Sequence, residues 1–413
     1  MTMTPSIDLL DPASFAHGHP HVQYRWLREH DPVHWHDEPE GPGFWAVTRY
    51  ADVQTVSRDP ETFSSWLGGV MIPDGGPELL AGSRLMMLYM DPPDHTRFRL
   101  FVNKGFTPRG ASGWTERISD LASLIVDAII EQGECDLVTA LAGEMPSYVI
   151  AQLMGIPLDD GRRLYELTEV MHSGDPSLTL EQRAGAVIEM HTYAAGVAEN
   201  KRRHPGDDLA TRLIESEVNG DRLSTEEFSW FFLLLVNAGG DTTRNLVAGG
   251  MEALFQHPTE YARLIADPAA LTPSAVEELL RYVSPVVHMR RTATVDTMVA
   301  GTPIRSGQKV VVFYAAANRD ERVFADPDRL DLSRSPNPHV AFGAGGPHFC
   351  LGAHFARLET TALLTEMLTR MPDMEPAGEP ERHLSNFIAG PRHFPVRFTP
   401  GPRRRAAAPL SKA

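Results

Sequence analysis

Apolar residues recur at three- and four-residue intervals along most of the chain. That period predicts helices at Glu116–Glu131, Ser147–Leu153, Arg183–Lys201, Glu226–Phe255 and Ala353–Met371. Segments with strand character are few and short: Phe44–Val47, Met289–Thr292, Gln308–Phe313 and Val396–Phe398. The pattern predicts a mostly α fold with small β-sheets at its edges. Its sharpest boundary is at Ser224 and Glu227, an S-x-x-E capping box, after which the apolar pattern runs on to His257-Pro258 as one very long helix. The middle of that helix reads Ala238-Gly239-Gly240-Asp241-Thr242-Thr243, and two interior glycines cost about 1 kcal/mol each relative to alanine. Either the glycines let another helix pack closely, or a flat ligand crosses here with Asp241 and Thr242 supplying proton-bearing groups. Spacing alone serves both readings.

With 413 residues, 42% of them hydrophobic, the chain can bury a large core. No repeat or long linker divides it, which predicts one domain over residues 1–398 and a disordered tail over 399–413. A net charge of -16 argues against a nucleic-acid partner, which would require a basic face. The longest apolar run, Trp230–Val236, is far short of the roughly 20 residues that span a bilayer. Met1–Pro12 has no basic region followed by an apolar run, so no secretory signal is read there and a cytoplasmic location is expected. In that compartment Cys135 and Cys350 stay reduced, each available for packing or for chemistry.

Near the C-terminus stands Phe342-Gly343-Ala344-Gly345-Gly346-Pro347-His348-Phe349-Cys350-Leu351-Gly352, followed at once by a helical pattern. A cysteine after a glycine-rich loop and at a helix start has its thiolate favoured by the helix dipole and unpaired backbone N–H groups, which suits a soft metal ligand. A dinucleotide loop fits poorly, because His348 stands where G-x-G-x-x-G needs its third glycine. Zinc held by His348, Cys350 and His354 would lack a fourth ligand nearby. A buried structural cysteine is the ordinary alternative.

Phe-Gly-x-Gly followed by His-x-Cys-x-Gly resembles the haem-binding loop of the cytochrome P-450 superfamily, here one residue longer than the commonest form. Three further segments resemble that family in the same order: Asp91–Arg99, like the propionate-binding C helix; Ala238–Thr242, like the oxygen-activation motif of the I helix; and Glu278-Leu279-Leu280-Arg281, like the E-x-x-R of the K helix. The Gly-Gly-Pro-His-Phe-Cys loop is also similar to the actinobacterial branch that ω-hydroxylates methyl-branched lipids and steroid side chains. Thr242–Asn245, Ala317–Glu321 and Leu384–Ile388 point to the same branch.

The resemblance implies the triangular-prism fold of that family, with haem between the I helix and the cysteine loop and L helix. It also implies a monooxygenase that uses O2 to hydroxylate an unactivated C–H bond of a lipid, steroid or terpenoid. Cys350 would be the axial ligand of haem b, and His95, Arg99, Ala238, Arg291, Phe342, His348 and Gly352 would bind the cofactor. Arg290, next to Arg291 on an alternating strand, would be a surface charge. Asp241 and Thr242 would deliver protons, unless Thr242 merely bonds back to the carbonyl four residues earlier. Glu278 and Arg281 would form a structural pair. Met71, Met87, Val236, Val286, Val287, Met289 and Phe387 would line the substrate pocket, with ordinary core packing open for each. The chain has no flavin or nicotinamide fingerprint, so a ferredoxin and its reductase would bring electrons from NAD(P)H to a monomer, with Arg357 a contact. A peroxide-driven enzyme and a non-catalytic haem sensor are the alternatives.

Overall fold

The computed structural model describes residues 5–172, 178–218 and 220–404. They fall into two compact units, each assembled from separate stretches of chain. The first comprises residues 1–96, 277–351 and 384–390; the second comprises 97–276, 352–383 and 391–413.

The first unit is organised by a five-stranded sheet in the order Val33–His36, Phe44–Val47, Lys309–Phe313, His288–Ala293, Phe63–Ser64. Phe44–Val47 runs parallel to Lys309–Phe313, and the other neighbours are antiparallel. Both faces of the sheet are covered. Val310 and Val312 join Val47, Val53 and Phe63 in one apolar cluster, while Val311 and Phe313 join Leu9, Tyr24 and Phe44 in another. This explains why residues 310–313 are apolar throughout and do not alternate. The register sets Arg291 opposite Val310 and Arg290 opposite Val311, so the two arginines leave the sheet on opposite faces.

The second unit is helical around Thr225–Gln256, a 32-residue helix whose Ser224–Glu227 capping box is formed reciprocally. Glu144–Met154, Leu158–His172, Leu180–Arg203 and Ala353–Arg370 pack against it. The five helices read from periodicity are present within a few residues of their predicted ends; Ala353–Arg370, for example, stops one residue early. Within this unit Pro395–Arg397 pairs with Glu134–Asp136 and Glu375–Pro376, putting Val396 opposite Cys135. The C-terminal segment that composition assigns to the tail is held down as far as Arg404. Gly401 donates to the Ile130 carbonyl at 3.0 Å, and the Arg404 N–H donates to Asp127 at 3.0 Å. Residues 405–413 lie outside the described residues.

Glu359 stands out on Ala353–Arg370. It is buried, its Oε2 has no hydrogen-bond partner, and burial pushes its pKa up to about 8. The folded protein therefore holds Glu359 neutral at pH 7, whereas the unfolded chain ionises it. Unfolding releases a proton in the window between the ordinary glutamate value and about 8, so this residue lowers stability progressively as pH rises through that window. Glu359→Gln should raise the thermal midpoint over the parent by about 2 °C or more at about pH 8, with little gain at about pH 5. Equal gains at both pH values in thermal denaturation would show that Glu359 does not titrate in this way.

Candidate active site

In the first unit, the loop before Cys350 is closed by its own backbone. The Cys350 N–H donates to the Phe342 carbonyl at 2.9 Å, which seats Phe342 beside the cysteine despite the additional residue between them. The side of the loop is fastened by Arg58, whose Nε donates to the Ala344 carbonyl at 3.2 Å. Gly346 is required by close approach: its φ is +76°, and a Cβ there would lie 2.3 Å from the Ser57 carbonyl oxygen. Cys350 is half-buried and forms no disulfide. Cys135 forms none either, but it sits in the three-stranded sheet of the second unit, where burial pushes its thiol up to about 12. Among the described residues no three His, Cys, Asp or Glu side chains gather as a group that could hold a metal ion.

A chain of contacts links the cationic residues of this unit. The His348 ring lies 4.4 Å from that of His95, and its Nε2 is 3.3 Å from the Ser65 hydroxyl. The Ser65 N–H donates to Asp91 at 2.8 Å, and Asp91 in turn acts electrostatically on Arg291. Arg291 is buried, with one hydrogen bond, from Nη1 to the Arg290 carbonyl at 2.7 Å, and no ion pair among the described residues. Burial holds its pKa below the usual arginine value. A guanidinium kept in this condition is chemically suited to a carboxylate ligand. Arg290 corrects the sequence reading. It is buried, pairs with Asp74 at 2.6 Å and donates to the Met71 and Ile72 carbonyls, because its face of the sheet is covered by residues 71–74.

The Glu278–Arg281 pair is fully buried, with bonds of 2.7 and 2.8 Å. Arg281 also donates to the carbonyls of Asn318 at 2.9 Å and Pro327 at 2.7 Å. Glu278 accepts from the Asp331 N–H at 3.0 Å, Arg334 Nε at 3.1 Å and Asn337 Nδ2 at 3.1 Å. Together the two side chains tie the irregular segment 318–337 to their helix, a few residues before the cysteine loop. Arg334 and Asn337 were missed from sequence, because no local pattern marks a partner more than 50 residues away.

In the second unit the centre of the long helix has two distinct faces. A Cβ on Gly239 would lie 3.0 Å from Ile150, and one on Gly240 would lie 3.2 Å from Tyr165, so both glycines serve close helix packing. Ala238 is exposed and Thr242, one turn on, is half-buried; the Thr242 hydroxyl donates to the Ala238 carbonyl at 2.8 Å. The back-bond foreseen for this threonine is therefore made. Asp241 turns the other way and is buried, with Arg244 Nη2 3.4 Å from its Oδ1. Arg99 is half-buried one turn after His95 on the helix Asp94–Phe106, Gly352 caps Ala353–Arg370, and Arg357 is half-buried and donates to the Ala353 carbonyl.

Of the apolar candidates, Met71, Val286, Met289 and Phe387 are half-buried, while Met87 and Val236 are buried. The Val287 N–H donates to the Phe387 carbonyl at 2.9 Å, which lays the segment 385–389 alongside Pro285–His288. Val287 is a correction: it is wholly buried with Leu9, Phe44 and Phe313, because the alternation that leaves Val286 half-buried sends Val287 into that cluster.

Comparison with known proteins agrees with this arrangement. The cytochrome P450 family profile matches residues 161–391. A methyl-branched lipid omega-hydroxylase of Mycobacterium tuberculosis is 41% identical over 387 residues, 90% of each chain. A steroid C26-monooxygenase of the same species is 35% identical over 412 residues, 96% of this chain and 94% of its own. A cytochrome P450 of Mycobacterium marinum solved in complex with pseudoionone is 40% identical with a TM-score of 0.89, over 96% of this chain and 100% of its own. The chain belongs to the cytochrome P450 family. It is a monooxygenase whose cofactor is haem with a cysteine thiolate ligand and whose co-substrate is O2. The residues present fit that group: a cysteine in a backbone-closed loop suits a thiolate ligand, and a buried Arg291 and the His95–His348 pair suit the carboxylates of a haem. No helix among the described residues is long and apolar enough to cross a membrane.

Arg281→Met should remove the closest cation from Glu278 and orphan the Asn318 and Pro327 carbonyls, at a cost of about 3–5 kcal/mol. The drop in chemical denaturation midpoint should be matched by Glu278→Gln. A neutral result for either variant would show that the pair does not hold the segment.

Proposed function

We propose that Cys350 is the axial thiolate and that the chain hydroxylates an unactivated C–H bond of a methyl-branched lipid or a steroid side chain. The observation that carries the ligand assignment is the contrast between the two cysteines: Cys135 is packed in a sheet with its thiol held protonated, and Cys350 stands at the end of a backbone-closed loop. When bound, the haem would supply an iron that activates dioxygen, with a protein thiolate donating electron density to it. The protein's part is to hold, shield and protonate. His95, Arg99, Arg291 and His348 would hold the propionates, and Ala238, Phe342 and Gly352 would help to hold the rest of the cofactor. Thr242, with its hydroxyl at the open face of the long helix, hands protons toward the oxygen, and Asp241 supplies them.

The substrate class is supported by the names of the relatives and by the apolar character of Met71, Met87, Val236, Val286, Met289 and Phe387. Val287 is not among these, being spent on the core. Electrons come from NAD(P)H through a reductase and a ferredoxin to a monomeric, cytoplasmic enzyme. Residues 1–398 act as one catalytic domain.

Cys350→Ser should abolish the carbon monoxide difference band that reduced members of this family give, and Cys135→Ser should keep it. Retention of the band in Cys350→Ser would overturn the ligand assignment. Titration of the haem-loaded protein with methyl-branched fatty acids, steroids and terpenoids should give a low-spin to high-spin shift with the first two classes. A shift with terpenoids alone would overturn the substrate proposal.

A further inference from the structure

Behind Asp241 lies a polar network that the reading above does not use. Arg244 is buried on the long helix, one turn after Asp241, and donates to both the Tyr165 hydroxyl and the Glu169 carboxylate of Leu158–His172. Its Nη2 also lies 3.1 Å from Nε2 of His383, just after the strand Glu381–Arg382. Tyr165 donates to Glu169 at 3.3 Å, and Glu169 faces Asp241 as a hydrogen-bond partner as well as a like charge. Two carboxylates thus share one buried guanidinium. With both ionised, the cluster would hold an uncompensated negative charge in a poorly solvated place, which one retained proton removes. Asp241 is buried, whereas the side chains of Glu169 and His383 are 29% and 22% exposed, so solvent reaches the network from their side.

Resting on the monooxygenase reading, in which Asp241 supplies protons, we propose that Glu169 is the proton reservoir of Asp241. The pair holds one proton across Arg244; it passes from the Glu169 carboxyl to the Asp241 carboxylate, Asp241 gives it up, and Glu169 takes a replacement from water. Each cycle leaves the charge of the pair unchanged and moves no electrons. Arg244 is a positioning residue that keeps the two carboxylates together. The direction of the perturbations agrees: burial and Asp241 push Glu169 up against the opposing pull of Arg244. Burial, followed by Arg244, holds His383 down at about 4, so His383 is a neutral acceptor here and not a competing acid. The other groups felt at His383 are Asp241, which opposes that shift, and Arg392 and His393 of the neighbouring strand, which add to it. The other two helices packed here pair their acids elsewhere, Glu144 with Arg162 and Glu189 with Arg163.

The test uses the haem-loaded protein and two readouts. By infrared difference titration, the parent should keep a protonated-carboxyl C=O band above the ordinary carboxylate range that Glu169→Gln and Asp241→Asn both lose; the band from Glu359 stays in all three. With NADH, a ferredoxin and its reductase, Glu169→Gln should release about tenfold more peroxide per NADH and lose the parental pH dependence, while Glu169→Asp restores most of both. Substrate-induced spin shifts should be unchanged, which separates a relay defect from a damaged pocket. Parental infrared and peroxide behaviour in Glu169→Gln, with Asp241→Asn defective, would overturn the reservoir alone. An inert Asp241→Asn would overturn the role of Asp241 and the reservoir with it.

Discussion

The carboxylate of Glu278 meets two guanidinium groups, an amide side chain and a backbone N–H, all inside the first unit and out of water. A buried ion pair taken alone adds little net stability, because desolvation offsets much of its attraction. Its importance lies in what removal of one partner would leave behind: an unpaired charge and several orphaned carbonyls and N–H groups. Those groups belong to residues 318–337, a segment of turns with no ladder of its own to satisfy its backbone. Asn318 extends the same anchoring, accepting from the Val340 N–H at 2.7 Å just before the cysteine loop begins. The position of Cys350 is therefore set by hydrogen bonds made well upstream of it.

A similar economy governs the sheet of the first unit. One face of His288–Ala293 carries Arg291, a buried cation on which Asp91 acts electrostatically; the other carries Arg290, which pairs directly with Asp74. Lys309 repeats the second arrangement, pairing with Glu38 at 2.6 Å and Asp74 at 2.9 Å. The internal pairs fasten residues 71–74 onto the sheet.

The long helix of the second unit combines opposite demands within one turn. Its glycines admit Ile150 and Tyr165, so their cost in helix propensity is offset by packing. Ala238 and Thr242 occupy the open face, and Asp241 and Arg244 the packed one. Adjacent residues of a helix lie about 100° apart, so an acid and an alcohol next to each other in sequence reach different surroundings. That separation sets Asp241 against Arg244 behind the helix while Thr242 stands on the open side.

Much of this could be read from the chain because it depends on local rules. The capping box at Ser224 and Glu227, the long apolar period after it, the glycines of the cysteine loop and the order of the four motifs are all short-range features, and they determined the helical class, the boundaries of the main helices and the family. The sequence could not show that Val287 belongs to the core while Val286 is half-buried, that Arg290 is internally paired, or that Arg334 and Asn337 serve Glu278. Nor could it show that Arg244 joins Glu169 and His383, 75 and 139 residues away in the chain. These are contacts between distant segments, and they follow from which faces the packed elements turn toward each other. Local periodicity tells which side of an element is apolar, but only the assembled fold decides what lies opposite it.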